Sequence, residues 1–197
     1  QAPAAPTNGF DPSDGEEITT ALPRIQWNAA TDPNASDTPD TLRYEIQVKD
    51  DTDLASGPYV FTLTTPAGET FADVTTPLQD DVHYTYRIRT LDAMGLTSPW
   101  TSSPLTHFWV NTGNDVPSPP TDGFSPVDAA GVNTQTPRLS WNPGTDPDHS
   151  DPASTLLYRV QLSLNNFTSV AYTYDVTVAG RTFLDVPVAL TDNTTWY

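Results

Sequence analysis

Asp32, Asn34 and Asp37 stand at the spacing Asp-x-Asn-x-x-Asp, and 114 residues later Asp146, Asp148 and Asp151 repeat it. Both sets sit in a loop of the form Thr-Asp-Pro-x-x-Ser-Asp, with Asp40 as a further candidate in the first. Oxygen ligands on a short loop suit a hard cation. Calcium takes roughly six to eight oxygens at about 2.3–2.6 Å, from carboxylates, carbonyls and water. Magnesium strips its water reluctantly and fits such a loop less well. Zinc is not expected, because His149 stands where the first copy has Ala35. A competing reading is local: Asp-Pro and Ser-Asp also make turns in which a side chain accepts backbone N–H groups. Three oxygen side chains within six residues repel one another unless a positive charge sits among them. The expected ligand is therefore Ca2+. Pro33 and Pro147 should keep the preceding aspartate extended and aim its carboxylate away from the turn.

Other chemistries find less support. Asp148, His149 and Ser150 are the residue types of a serine hydrolase, but neighbours in one loop diverge, and no Gly-x-Ser-x-Gly turn is present. Paired carboxylates for glycoside cleavage need a cleft, whereas these acids lie in short loops. No phosphate-cradling glycine loop or dinucleotide fingerprint occurs. The expectation is a chain with no catalytic and no cofactor-binding residues. Tyr59, Trp100 and Trp109 could form an aromatic platform for a polysaccharide, or could simply cover the sheet and the linker. No Arg-Gly-Asp is present, and the sequons at Asn34, Asn166 and Asn193 match chance.

The balance of 25 acids against 8 bases gives a net charge of −17, which disfavours nucleic acid and anionic membranes as partners. Aspartate supplies 21 of the 25 acids, and Asp belongs to turns and to oxygen-ligand cation sites. A high-salt habitat would also favour acids with Lys49 as the sole lysine. Without cysteine there are neither disulfides nor thiolate metal sites. No apolar run is long enough to span a bilayer, so no membrane insertion is expected.

The elements that must hold these loops read as strands. Twenty prolines and ten glycines punctuate the chain, and no stretch carries sustained helical spacing. Period-two alternation marks Tyr44, Ile46 and Val48, then Tyr84, Tyr86, Ile88 and Thr90, then Phe108 and Val110. Sheets with one wet face imply an antiparallel sandwich. The repeat is long: "PTNGFDP" returns as "PTDGFSP", "PRIQWN" as "PRLSWN" and "GETFADV" as "GRTFLDV".

The ordered set of a second-strand Trp, a Tyr-x-Ile-x-Val strand, a Leu-x5-Tyr corner and the "YRIRTLDAMGLTSPW" hairpin resembles fibronectin type III modules. "WVNTGNDVPSPP" is similar to the linkers of their bacterial and archaeal extracellular kind. The resemblance covers nearly the whole chain. It implies an all-β fold of two tandem immunoglobulin-like sandwiches, the second truncated before the end of strand F. Domain one would run 1–110, a Pro-rich linker 111–120, and an incomplete domain two 121–197, lacking most of strand F and all of strand G. The chain thus reads as an excerpt. Trp196 takes the corner position of Tyr84, so the corner hydrogen bond should pass to an indole N–H or be lost. Asp92, from the F–G loop, should approach the first Asp loop at one pole. Glu16, Glu17, Asp50, Asp51, Asp53, Asp80 and Asp81 should crowd the opposite pole, which the linker leads to the second Asp loop. The resemblance implies spacer modules of an extracellular or cell-surface protein, with neighbouring modules of the same polypeptide as partners. A second chain at the open edge of domain two, or an accessory role in a secreted hydrolase, are the alternatives.

Overall fold

The computed structural model describes residues 1–50, 58–101 and 106–197. Asp51 and Asp53 lie outside the described residues. Among the described residues every regular element is a strand, and no helix is long and apolar enough to cross a membrane. The chain divides into two units, Gln1–Asn114 and Asp115–Tyr197. The division falls inside the 111–120 stretch.

Unit 1 is built from β1 (Glu16–Ile18), β2 (Arg24–Gln26), β3 (Arg43–Lys49), β4 (Phe61–Thr64), β5 (Phe71–Asp73), β6 (Val82–Leu91) and β7 (Thr106–Val110). One sheet has the order β1-β7-β6-β3-β4; the other pairs β2 with β5, extended by the Asp11–Gln26 bridge. All pairings are antiparallel except β1 with β7. This is the β-sandwich, antiparallel but for β1, that the strand pattern anticipates. Alternation explains the layers: Tyr44, Ile46 and Val48 from β3, Ile88 from β6, and Phe108 and Val110 from β7 are all 0% exposed. Ile25, Trp27 and Ala72 close the core from the other sheet. Each fully buried aliphatic side chain contributes about 1.5–3 kcal/mol. The corner forms as well, with the Gln79 N–H donating to the Tyr84 hydroxyl at 2.8 Å.

Unit 2 repeats the plan with fewer strands: β8 (Arg138–Ser140), β9 (Tyr158–Leu162), β10 (Tyr172–Val176) and β11 (Phe183–Asp185). β8 pairs with β11 and β9 with β10. Details carry over from one copy to the other. Trp27 meets Tyr44 edge-on at 5.3 Å, and Trp141 meets Tyr158 at 5.4 Å. Gly9 and Gly123 both need a left-handed φ and leave no room for a Cβ against Asn28 and Asn142. Ser163 and Tyr197 exchange both backbone hydrogen bonds at 2.9 Å. That pair has the register of Lys49 with Thr85, so Tyr197 lies where β6 runs in unit 1. Trp196 fills the corner position, but its indole nitrogen is buried without a hydrogen-bond partner among the described residues. The corner bond is lost. Beside β9 an open groove of about 1430 Å³ is lined by Leu139, Val160, Leu162 and Trp196 among others. The matching space in unit 1 holds Tyr86, Ile88 and Phe108.

Candidate metal centres in the Asp loops

Each Asp loop leaves its short strand just after the core tryptophan and is pinned at its start by a tyrosine from the facing sheet. The Ala30 N–H donates to the Tyr44 hydroxyl at 2.9 Å, and the Gly144 N–H to the Tyr158 hydroxyl at 3.2 Å. A turn then follows in both copies, Asp37 N–H to Asn34 O and Asp151 N–H to Asp148 O, each at 3.0 Å.

The aspartates before proline do not point away from that turn, contrary to the expectation from Pro33 and Pro147. Asp32 Oδ1 accepts the Asn34 N–H at 2.6 Å, and Asp146 Oδ1 accepts the Asp148 N–H at 3.0 Å. Proline has no N–H to offer, so the amide two residues on is the donor, an ordinary Asx turn. The turn occupies one oxygen only. Asp32 Oδ2 is buried with no hydrogen-bond partner among the described residues.

In unit 1 the structure brings Asp32, Asp37 and Asp92 together, with one carboxylate oxygen from each lying within 4.8 Å of the others. Asp92 follows β6 and is 4% exposed. Its Oδ1 accepts the N–H groups of Met94 and Leu96 at 2.9 and 2.8 Å, which fixes the turn and the carboxylate at once. Its Oδ2 is buried and has no hydrogen-bond partner among the described residues. Asn34 is engaged elsewhere: its side-chain amide accepts from the Gln1 terminal ammonium at 3.2 Å and donates to Gln1 O at 3.1 Å. Asp40 is exposed and does not belong to the group.

In unit 2 the group is Asp146, Asp148 and Asp151, again within 4.8 Å. Here the buried member is Asp148, 2% exposed. Its Oδ2 accepts the Asp115 N–H at 2.9 Å, while Oδ1 is buried with no hydrogen-bond partner among the described residues. The Asp115 contact was not legible beforehand, because 33 residues separate the two. Its only trace is that Asp115 falls one repeat after Gln1.

Two oxygens each about 2.3–2.6 Å from one ion lie at most about 5 Å apart. Both groups meet that limit. Burying a carboxylate oxygen without a partner is costly, and a divalent ion is the natural compensation. Asp80, Glu16 and Glu17 accept hydrogen bonds from backbone and side-chain donors instead. Asp80 accepts from Thr112 N–H and Oγ1 at 2.6 and 2.7 Å, which holds its carboxyl below the usual range. Glu16 caps Ser13, and Glu17 accepts from Asn111.

The aromatic candidates do not form a bare platform. Trp100 lies under the guanidinium groups of Arg87 and Arg89 at 4.3 and 4.6 Å, and Tyr59 bonds Arg87 through its hydroxyl. Trp109 packs on His83 with ring centroids 4.8 Å apart. Asp148 turns into its loop while His149 and Ser150 are exposed, so these three do not line up as a triad.

No protein-family profile matches the chain, and no curated protein matches it. Among solved structures the chain is similar to the chicken CNTN1 FN1-FN3 domains, with 15% sequence identity and a TM-score of 0.39. The match covers 99% of this chain and 58% of that one.

Proposed function

We propose that these two fibronectin type III-like sandwiches are non-catalytic spacer modules of an extracellular or cell-surface protein, each stabilised by a calcium ion seated in its Asp loop. The supporting observation is the inward, unpartnered oxygen of a nearly fully buried aspartate in each group, Asp92 Oδ2 in unit 1 and Asp148 Oδ1 in unit 2. The Met94 and Leu96 N–H groups account for the other oxygen of Asp92 and the Asp115 N–H for that of Asp148, which leaves these two unexplained. The ion neutralises a carboxylate triad and ties loops to the sandwich, which suits a module whose task is to hold distance. Neighbouring modules of the same polypeptide are the natural partners.

Calcium titrated into the metal-free chain should raise its melting temperature by mass action, about 2.7 kcal/mol of stability at a hundred times Kd. An unchanged melting temperature at millimolar calcium removes this reading.

A further inference from the structure

The outer face of the small sheet differs in charge between the two copies. In unit 1, Ile25 and Ala72 point into the core, so Arg24, Gln26, Phe71 and Asp73 point out. Asp11 is bridged beside Gln26, and Glu69 lies two residues before Phe71 on the same face. One base there meets three acids. In unit 2, Asp11 becomes Ser125, Gln26 becomes Ser140 and Glu69 becomes Arg181. Asp122, in place of Asn8, accepts from Asn142 at 2.9 Å. Two bases, Arg138 and Arg181, then meet two acids, Asp122 and Asp185.

Arg181 is the member left over. Both guanidinium groups stand 4.2 Å from the centroid of the Phe183 ring, whereas Phe71 carries Arg24 alone. Asp185 spends its two oxygens on Arg138, at 2.7 and 2.9 Å. The Arg181 Nε is buried with no hydrogen-bond partner among the described residues. Two cations on one ring repel, and a carboxylate arriving from outside would satisfy the second as Asp185 satisfies the first. The chain presents such a carboxylate on the matching face of unit 1, where Glu69 stands at the position of Arg181. We propose that the outer face of β8 and β11 docks on the outer face of β2 and β5 of a second copy of this chain, with Arg181 pairing with the second copy's Glu69. Two short strands offer less than the roughly 800 Å² per partner of a stable interface, so the contact should be weak. The net charge of −17 opposes association at long range. Salt near physiological strength screens that repulsion beyond about 8 Å and spares a pair in contact more than distant charges.

Sedimentation equilibrium of the full chain in moderate salt, at concentrations rising to millimolar, tests this. The apparent mass of the parent should climb above that of one chain. Arg181→Glu and Glu69→Arg should each stay monomeric, because like charges then face each other. An equal mixture of these two variants should associate again, because the reversed charges meet across the contact. Melting scans of each variant check that both remain folded, and rescue in the mixture shows it independently. A parent that stays monomeric overturns the proposal. So does a folded Arg181→Glu chain that associates as the parent does, or a mixture of folded variants that stays monomeric.

Discussion

The two Asp loops are copies in sequence and turn geometry, yet they collect their buried carboxylate from different places. The first takes it from Asp92, after β6; the second takes it from Asp148, inside the loop. Position 34 is asparagine where position 148 is aspartate. Each group ends with three carboxylates and one nearly fully buried member. A spacing motif alone therefore misleads about which residue matters most. What the two copies share is a charge count at the tip of a sandwich, supplied by whichever element is at hand.

The sharpest way to break this comparison is to neutralise the buried member in each unit. Asp92→Asn keeps an oxygen to accept from Met94 and Leu96, and Asp148→Asn keeps one for Asp115. Each should leave the calcium-free protein as stable as before or more so, because repulsion falls. In calcium each should lower the melting temperature of its own unit by several degrees, at roughly 4–8 °C per kcal/mol for a domain of this size. Calorimetric scans with and without calcium check the reversal of sign. Destabilisation of equal size in both conditions would reduce these aspartates to turn formers.

A smaller change should make the first loop imitate the second. Asn34→Asp adds a fourth acid beside Asp32, Asp37 and Asp92. Without calcium it should cost about 1 kcal/mol from like-charge crowding and the lost bond to Gln1 O, offset in part by a charge-assisted bond from the Gln1 ammonium. The melting temperature of unit 1 should then rise more steeply with calcium than in the parent. A parallel shift at all calcium concentrations would mean that position 34 does not sense the ion.

Much of this was legible from residue order. Period-two alternation located the core of β3, β6 and β7, the repeat marked both Asp loops, and the Tyr84 corner came from the resemblance to fibronectin type III modules. Three things escaped. The direction of Asp32 was misjudged, because proline restricts the backbone but the orphaned amide two residues on decides where the carboxylate turns. Which member is buried depends on how β6 ends, a tertiary matter invisible in the loop itself. The contact from Asp115 needs the leading segment folded back on its own unit.

The corner tyrosine tests the copies at the next level down. Tyr84→Phe leaves the Gln79 N–H without its 2.8 Å partner and should cost about 1 kcal/mol in unit 1. Trp196→Tyr offers unit 2 the hydroxyl it lacks and should gain no more than that, since Trp196 also packs on Tyr172 at 5.8 Å. Urea titration of the single variants measures both. A destabilised Trp196→Tyr would show that the indole's packing outweighs the missing bond.

The weakest expected effect lies where the copies agree best. Arg24 grips Asp73 with two bonds of 2.7 and 2.9 Å, and Arg138 grips Asp185 with the same pair of distances. The hydrogen bonds from arginine hold both carboxyls below their ordinary value. A carboxyl whose folded pKa is depressed adds stability that is fully present above its unfolded pKa near 3.9 and is lost as pH falls through the folded value. All four side chains are more than half exposed, so solvent and salt screen the attraction. Asp73→Asn and Asp185→Asn should therefore lower stability slightly and equally at neutral pH, and not at all once the pH lies below both values. Scans at pH 7 and pH 2.5 in low salt measure this. A larger loss for one unit would mean that its carboxylate does more than form a surface fork, since the stacking of Arg24 on Phe71 and of Arg138 on Phe183, at 4.1 and 4.2 Å, is touched by neither substitution. Stacking does not depend on the carboxylate, so its contribution should persist at the acidic end, where the fork is gone.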